Sequence, residues 1–291
     1  MRLSFRTAGI LPALFRTAGI LAGSFLAFFA APFNIAPPAA AQNPNVLLPA
    51  ESAEKAKGII QKAIQALGGQ TYLSVRDQSC NGRLAGFDRS GELSGYTPFW
   101  LFSKLPDKQR VEYYKQRNLV TVHNGGDGWE LDRGGVVDMP AERIDSYRQD
   151  LLVDLDYVLR YRLQEEGLIF RYGGSDLVDL RQVDWVEIVD RERRTVRIAI
   201  ERSTSLPLRA RVIKRDPKTR ERIEELAYFS NYQNIQGVMT PLSVSQERGG
   251  SKTFQAFYDA CTYNTGLADT LFTREGLEAR FGELNKGKKK K

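Results

Sequence analysis

Thr195-Val-Arg-Ile-Ala-Ile-Glu-Arg-Ser-Thr-Ser-Leu-Pro-Leu208 reads as one antiparallel strand and the turn that ends it. Val196, Ile198 and Ile200 point to one face and Thr195, Arg197 and Glu201 to the other, a period of two. Ser203-Thr-Ser205 then turns the chain into Leu206-Pro-Leu208. Two later stretches have the same form: Tyr228-Phe-Ser-Asn-Tyr-Gln-Asn-Ile-Gln-Gly-Val-Met-Thr-Pro241 and Tyr263-Asn-Thr-Gly-Leu-Ala-Asp-Thr-Leu-Phe272.

On either side of these stretches strands are predicted over 80–88, 93–104, 108–115, 119–123 and 129–133, and again near 168–173, 175–180, 182–190, 194–201, 205–215, 220–231, 239–248 and 252–263. Phe99-Trp-Leu-Phe102 is apolar on both faces, so both sides of that strand should be covered. Asn124-Gly-Gly-Asp-Gly128 reads as a hairpin turn, and Gly173-Gly174 as a turn between two strands. Helices are few. Ser52 to Leu67 carries an apolar stripe (Ala56, Ile59, Ile60, Ala63, Ile64, Leu67), with Ser52 as N-cap and Gly68-Gly69 as stop. Pro140 opens a long helical stretch to about Leu163, with Ile144, Tyr147, Leu151, Leu152, Leu155, Val158 and Leu159 at helical spacing. Where that stretch divides, if it does, the periodicity does not place. Thr273 to Phe281 fits a last short helix. The fold class is mainly β with a few helices (α+β): one antiparallel meander of about a dozen strands, a sheet long enough to curl.

Residues 1–41 read as a cleavable signal peptide. Arg2, Arg6 and Arg16 precede or flank an apolar run from Ala18 to Phe33, and Ala39-Ala-Ala41 before Gln42 is a small-residue cleavage site. Leu21-Ala-Gly-Ser24 is similar to a lipobox with serine in place of the lipidated cysteine. A linker is expected over 42–50, one domain over 51–281 and a Lys-rich disordered tail over 282–291. The formal charge of +7 comes from the ends, because three leader arginines and five tail lysines leave residues 42–285 at −1. A near-neutral body lacks the basic face that nucleic-acid binding needs. Cys80 and Cys261 either form one disulfide between the first and last strands or stay as two buried thiols.

Motifs for chemistry are sparse. His123 is the only histidine and sits at a strand end. One histidine and two distant cysteines make a poor zinc set. Gly125-Gly-Asp-Gly128 lies between strands and opens no helix, so it is no phosphate loop. Asp150, Asp154 and Asp156 read as a solvated helix face, and Asp184 and Glu187 fall on opposite faces of one strand. No catalytic residue, metal or cofactor is expected. The surplus is apolar, and it suits either a packed core or the wall of a cavity between the curled sheet and the helices. On the second reading Ile60, Ile64 and Leu67 of the first helix and Leu151, Leu155 and Leu159 of the long one face the concave side, with Trp129 and Ile198 as the strand residues opposite.

The three quoted stretches, with Lys104-Leu-Pro-Asp-Lys-Gln-Arg110 and His123-Asn-Gly-Gly-Asp-Gly-Trp129, resemble in order and spacing the outer-membrane lipoprotein-sorting family, the periplasmic carriers of the LolA/LolB type. The resemblance covers about residues 51–280. It implies an unclosed half-barrel whose concave face is covered by helices. It also implies a monomeric periplasmic carrier of lipoprotein acyl chains or other lipid, with an inner-membrane release complex or an outer-membrane acceptor as partner. A same-fold sensor that regulates a membrane partner is the alternative it leaves open.

Overall fold

The computed structural model describes residues 47–88, 91–215 and 219–288. The expected leader, and residues 42–46 of the expected linker, lie outside them. Thirteen strands form one antiparallel sheet: β1 (Asp77–Phe87), β2 (Leu93–Lys104), β3 (Lys108–Tyr113), β4 (Leu119–Asn124), β5 (Asp127–Asp132), β6 (Gly135–Asp138), β7 (Ile169–Val178), β8 (Arg181–Val189), β9 (Thr195–Glu201), β10 (Pro207–Arg215), β11 (Arg222–Ile235), β12 (Val238–Arg248) and β13 (Ser251–Tyr263). They lie in the order β6-β5-β4-β3-β2-β1-β13-β12-β11-β10-β9-β8-β7. All neighbours are consecutive in sequence except β1 and β13, which the Cys80–Cys261 disulfide joins. β6 and β7 are the two edges and do not pair, so the sheet stays an open half-barrel. The chain between them therefore has to travel from one edge to the other, and it does so as helices across the concave face.

Helix α1 (Pro49–Leu67) starts ahead of the predicted Ser52 because Pro49 suits the first helical turn, where its missing N–H costs nothing. Glu51 accepts from the Leu48 N–H at 3.1 Å, and Ser52 Oγ instead accepts the N–H of Tyr172 on the edge strand β7 at 2.9 Å. α1 stops at Gly68, whose φ of +128° disfavours any other residue and where a Cβ would lie only 2.3 Å from the Gly237 carbonyl oxygen. The short α2 (Gln70–Leu73) follows. The long helical stretch divides at 152–154 into α3 (Ala141–Leu151) and α4 (Leu155–Tyr157), which runs on into a π-helical turn, Val158–Arg162. Asp154 caps the new start, its Oδ1 accepting the Tyr157 N–H at 3.0 Å.

Several strands also differ from expectation in their bounds, and β1 and β11 run from Asp77 and to Ile235. Gly173-Gly174 is a bulge inside β7, with Tyr172 opposite Val186 and Ser175 opposite Asp184, so the two predicted strands are one. β6, only four residues long, is an additional strand too short to show a period. The C-terminal helix α5 (Arg274–Lys288) passes the predicted end at Phe281, because Leu284 still packs against the apolar cluster around Phe272 and Leu277.

Apolar residues cover both faces. On the concave face Ala56, Ile60, Ala63, Ile64 and Leu67 of α1 pack on Val186, Ile188, Val196, Ile198 and Ile200 of β8 and β9. On the outer face Phe272 and Leu277 pack on Val120, Val122 and Leu131, with Phe102 and Trp129 beside them. Arg110 Nη1 and Asn124 Nδ2 pin this C-terminal segment through the carbonyls of Leu271 and Phe272, at 2.9 and 3.1 Å. The strand Phe99–Phe102 is thus used on both sides, as its composition requires.

Candidate functional site

Beyond the α1 core, the concave face is not filled. A cavity of about 720 Å³ lies between the middle strands and the segment from Tyr147 to Tyr161. Leu67, Leu151, Leu155 and Leu159 line it from the helices. Leu101, Ala210, Val212, Phe229, Val244 and the disulfide line it from the sheet. The structure therefore brings four of the eight sequence-predicted site residues to the wall. Ile60, Ile64 and Ile198 lie next to it but inside the packed core, at 2%, 9% and 1% exposure. Trp129 does not belong to this face. It pairs with Val122 on β4, and both point outward under Phe272 and Leu277. The alternation of β5 gives Trp129 a correct partner set, but the C-terminal helix, not α3, covers that side.

The rest of the wall is polar, and sequence reasoning missed it. Seven tyrosines line the cavity: Tyr72, Tyr147, Tyr157, Tyr161, Tyr232, Tyr258 and Tyr263. Tyr72 Oη donates to Asp156 Oδ1 at 2.7 Å, and Arg160 Nε donates to Asp156 Oδ2 at 2.7 Å with its guanidinium 3.7 Å over the Tyr72 ring. Tyr232 Oη donates to the Pro207 carbonyl at 2.7 Å, and the Tyr263 and Thr240 hydroxyls share a bond of 2.7 Å. Burial, and then the charge of Asp156, pushes the Tyr72 phenol well up. Burial followed by the charge of Asp154 raises that of Tyr147 and takes Tyr258 to about 12.

Asp150, Asp154 and Asp156 keep the solvent contact expected of them, but they do not lie on one continuous helix face. The division at 152–154 interrupts the helical period, and each carboxylate finds a different place. Asp150 pairs with Lys214 of β10 at the rim, Asp156 pairs with Arg160, and Asp154 lines the cavity. Asp154 keeps solvent contact through the cavity while protein surrounds it. Burial first, and the neighbouring Asp156 second, push its carboxyl up to about 6. One signal was available in the sequence: an aspartate directly before Leu155 is a helix-start residue.

α3 acts as a cover rather than a core element, since none of its residues is buried. Polar and aromatic ties hold it. Tyr147 stacks on His123 of β4 at 3.8 Å between centroids and 12° between planes. Arg143 Nη1 meets Glu130 Oε1 at 2.5 Å, Arg194 Nη1 donates to Gln149 Oε1 at 2.9 Å, and Lys214 bridges Asp150 to Glu225. Burial, then Arg143, lowers His123 to about 4, so its ring is neutral in the stack. Among the described residues no group of three or more His, Cys, Asp or Glu side chains is placed to hold a metal ion, and no helix is long and apolar enough to cross a membrane.

No protein-family model and no curated protein matches the sequence. Solved structures do. The chain is similar to a DUF1329 family protein from Desulfovibrio piger at 17% identity and a TM-score of 0.55, over 76% of this chain and 98% of that one. It is similar to a LolA superfamily protein from Nitrosomonas europaea at 14% identity and 0.50, over 76% and 99%. A domain from Vibrio parahaemolyticus assigned to outer membrane lipoprotein sorting matches at 13% identity and 0.54, over 78% and 99%. At these identities the likeness establishes the fold alone, an open antiparallel half-barrel.

Proposed function

We propose that the protein is a periplasmic carrier that holds acyl chains of a lipoprotein or other lipid in this cavity and moves them towards the outer membrane. The observation that carries the reading is the cavity itself, a volume within the ~300–1,000 Å³ of ligand sites, lined by leucines and aromatic residues under a helix with no fully buried residue. Acyl burial supplies about 0.8 kcal/mol per methylene and asks for no reactive side chain. A cover tied by ion pairs and one ring stack can lift without opening the α1 core, which suits loading and release. The membrane partners are an inner-membrane release complex or an outer-membrane acceptor, met by a monomer.

Native mass spectrometry of the protein purified from the cell envelope tests this. An acyl-bearing ligand at defined stoichiometry is the expected result. A folded, delipidated protein that takes up no fluorescent acyl probe would overturn it and leave the same-fold interaction module. Export is tested separately by N-terminal sequencing of the envelope protein, which should begin near Gln42.

A further inference from the structure

We infer that the cavity is built for amphiphiles with an ammonium head group, whose nitrogen pairs with the carboxylate of Asp154 in the wall that Tyr147 and Tyr258 also line. This preference rests on the carrier reading, whose cargo it narrows.

The charge arrangement of the wall carries it. Lys108, Arg160 and Arg248 line the cavity, and each is already engaged: Lys108 with Asp269 at 2.9 Å, Arg160 with Asp156 at 2.7 Å, and Arg248 with Glu225. Lys214, near the rim, is shared by Asp150 and Glu225. Against the three lining cations stand five lining carboxylates, Asp150, Asp154, Asp156, Glu225 and Glu247. Glu247 accepts from the Tyr228 hydroxyl at 2.9 Å. Asp154 is held only by backbone N–H groups of Tyr157 and Asp156, and no ion pair reaches it among the described residues. A phosphate or carboxylate head group would find every lining cation engaged and would meet a bare carboxylate. An ammonium group would find at Asp154 an acceptor that two backbone N–H groups hold and that no cationic side chain among the described residues pairs.

The aromatic surroundings point the same way. Tyr147 and Tyr258 line the cavity and feel the Asp154 charge, and phenol faces attract a desolvated cation. Both phenols stay neutral, so neither competes with Asp154 for the proton or adds negative charge. Leu151, Leu155 and Leu159 lie on the same segment, where the chain of such an amphiphile would rest.

The experiment is competition against a fluorescent acyl probe on the delipidated protein at neutral pH, with dodecylamine, dodecanol and dodecanoate. The amine is expected to bind about tenfold more tightly than the alcohol, with dodecanoate weakest. Asp154→Asn keeps the helix cap, since asparagine caps as well as aspartate, and should bring the amine down to the alcohol without moving the alcohol. Equal affinity of amine and alcohol in the native protein, or an amine preference that survives in Asp154→Asn, overturns the inference. Failure of all three to compete would sink the carrier reading instead. Two native-protein arms identify the source of the ammonium group: a diacylated lipopeptide with a free N-terminal amine, and vesicles of an aminophospholipid. Loss of binding on N-acetylation of either supports the assignment and names the cargo. Indifference to acetylation of both overturns it, even if the Asp154 variant fails to fold.

Discussion

Replacing Cys80 and Cys261 together by alanine should destabilise the protein as much as a large core truncation does. The two residues face each other across β1 and β13, and their bridge closes a loop with a sequence separation of 181. All other neighbouring strands follow each other directly in sequence, so chain connectivity brings them together cheaply. The β1–β13 contact is the one whose closure costs the unfolded chain most, and the bridge removes that cost. The chain-entropy expression at this loop length gives about 5 kcal/mol at 25 °C, and measured losses for native disulfides run ~2–5 kcal/mol. For a domain of this size roughly 2–4 °C accompany each kcal/mol, so the melting temperature should fall by roughly 5–15 °C. Thermal and urea unfolding followed by circular dichroism, with a thiol titration of the native protein to show that neither cysteine is free, make the measurement. Acyl-probe binding should persist at temperatures where the variant is folded, because the ladder from Gln78 opposite Tyr263 to Ala85 opposite Gln255 holds the register without the sulfurs. A double variant that melts within about 2 °C of the native protein would refute the closure-entropy reasoning.

Ile60→Ala and Ile198→Ala truncate side chains at 2% and 1% exposure and should each cost ~2–5 kcal/mol in urea unfolding; losses under about 0.5 kcal/mol would mean the α1 core collapses freely. Leu151→Glu, on the cover and only half-buried, should leave the fold intact and abolish acyl-probe uptake, whereas unchanged uptake by the folded variant would remove α3 from the site. Trp129→Ala should lower stability through the outer cluster yet leave probe affinity unaltered; a changed affinity would contradict its outward placement. Acid titration should show two opposed slopes. Asp154 is raised from 3.8 to about 6, so the folded state holds more protons in that window and gains stability as pH falls through it. His123 is lowered from 6.5 to about 4, so the unfolded state holds more protons there and stability is lost as pH falls. Asp154→Asn should therefore steepen the acid loss between pH 6.5 and 4, and His123→Gln should reverse it; identical urea-midpoint profiles for native protein and both variants would show that neither group titrates as described.

The alternation of Val196, Ile198 and Ile200, the stripe of Ile60, Ile64 and Leu67, and the turn residues between strands were enough to identify an antiparallel, mostly β chain with an amphipathic first helix. Those signals are local: a period of two or of 3.6 residues states which side chains share a face, whatever the rest of the chain does. They do not state which face is concave. Trp129 alternates as well as Ile198 does, yet one lies under the C-terminal helix and the other under α1, because the covering segments come from distant parts of the chain. The pairing of β1 with β13, and with it the disulfide, likewise depends on two segments 181 residues apart meeting in register. Asp154 looked like a mid-helix position because a single 3.6 period was carried through residues 152–154, where the helix divides. The cavity itself is written in no residue. It is the volume left when α1 fills one part of a curled sheet and the lightly packed α3 spans the other, so only the tertiary structure could place five carboxylates, seven tyrosines and the leucines around it.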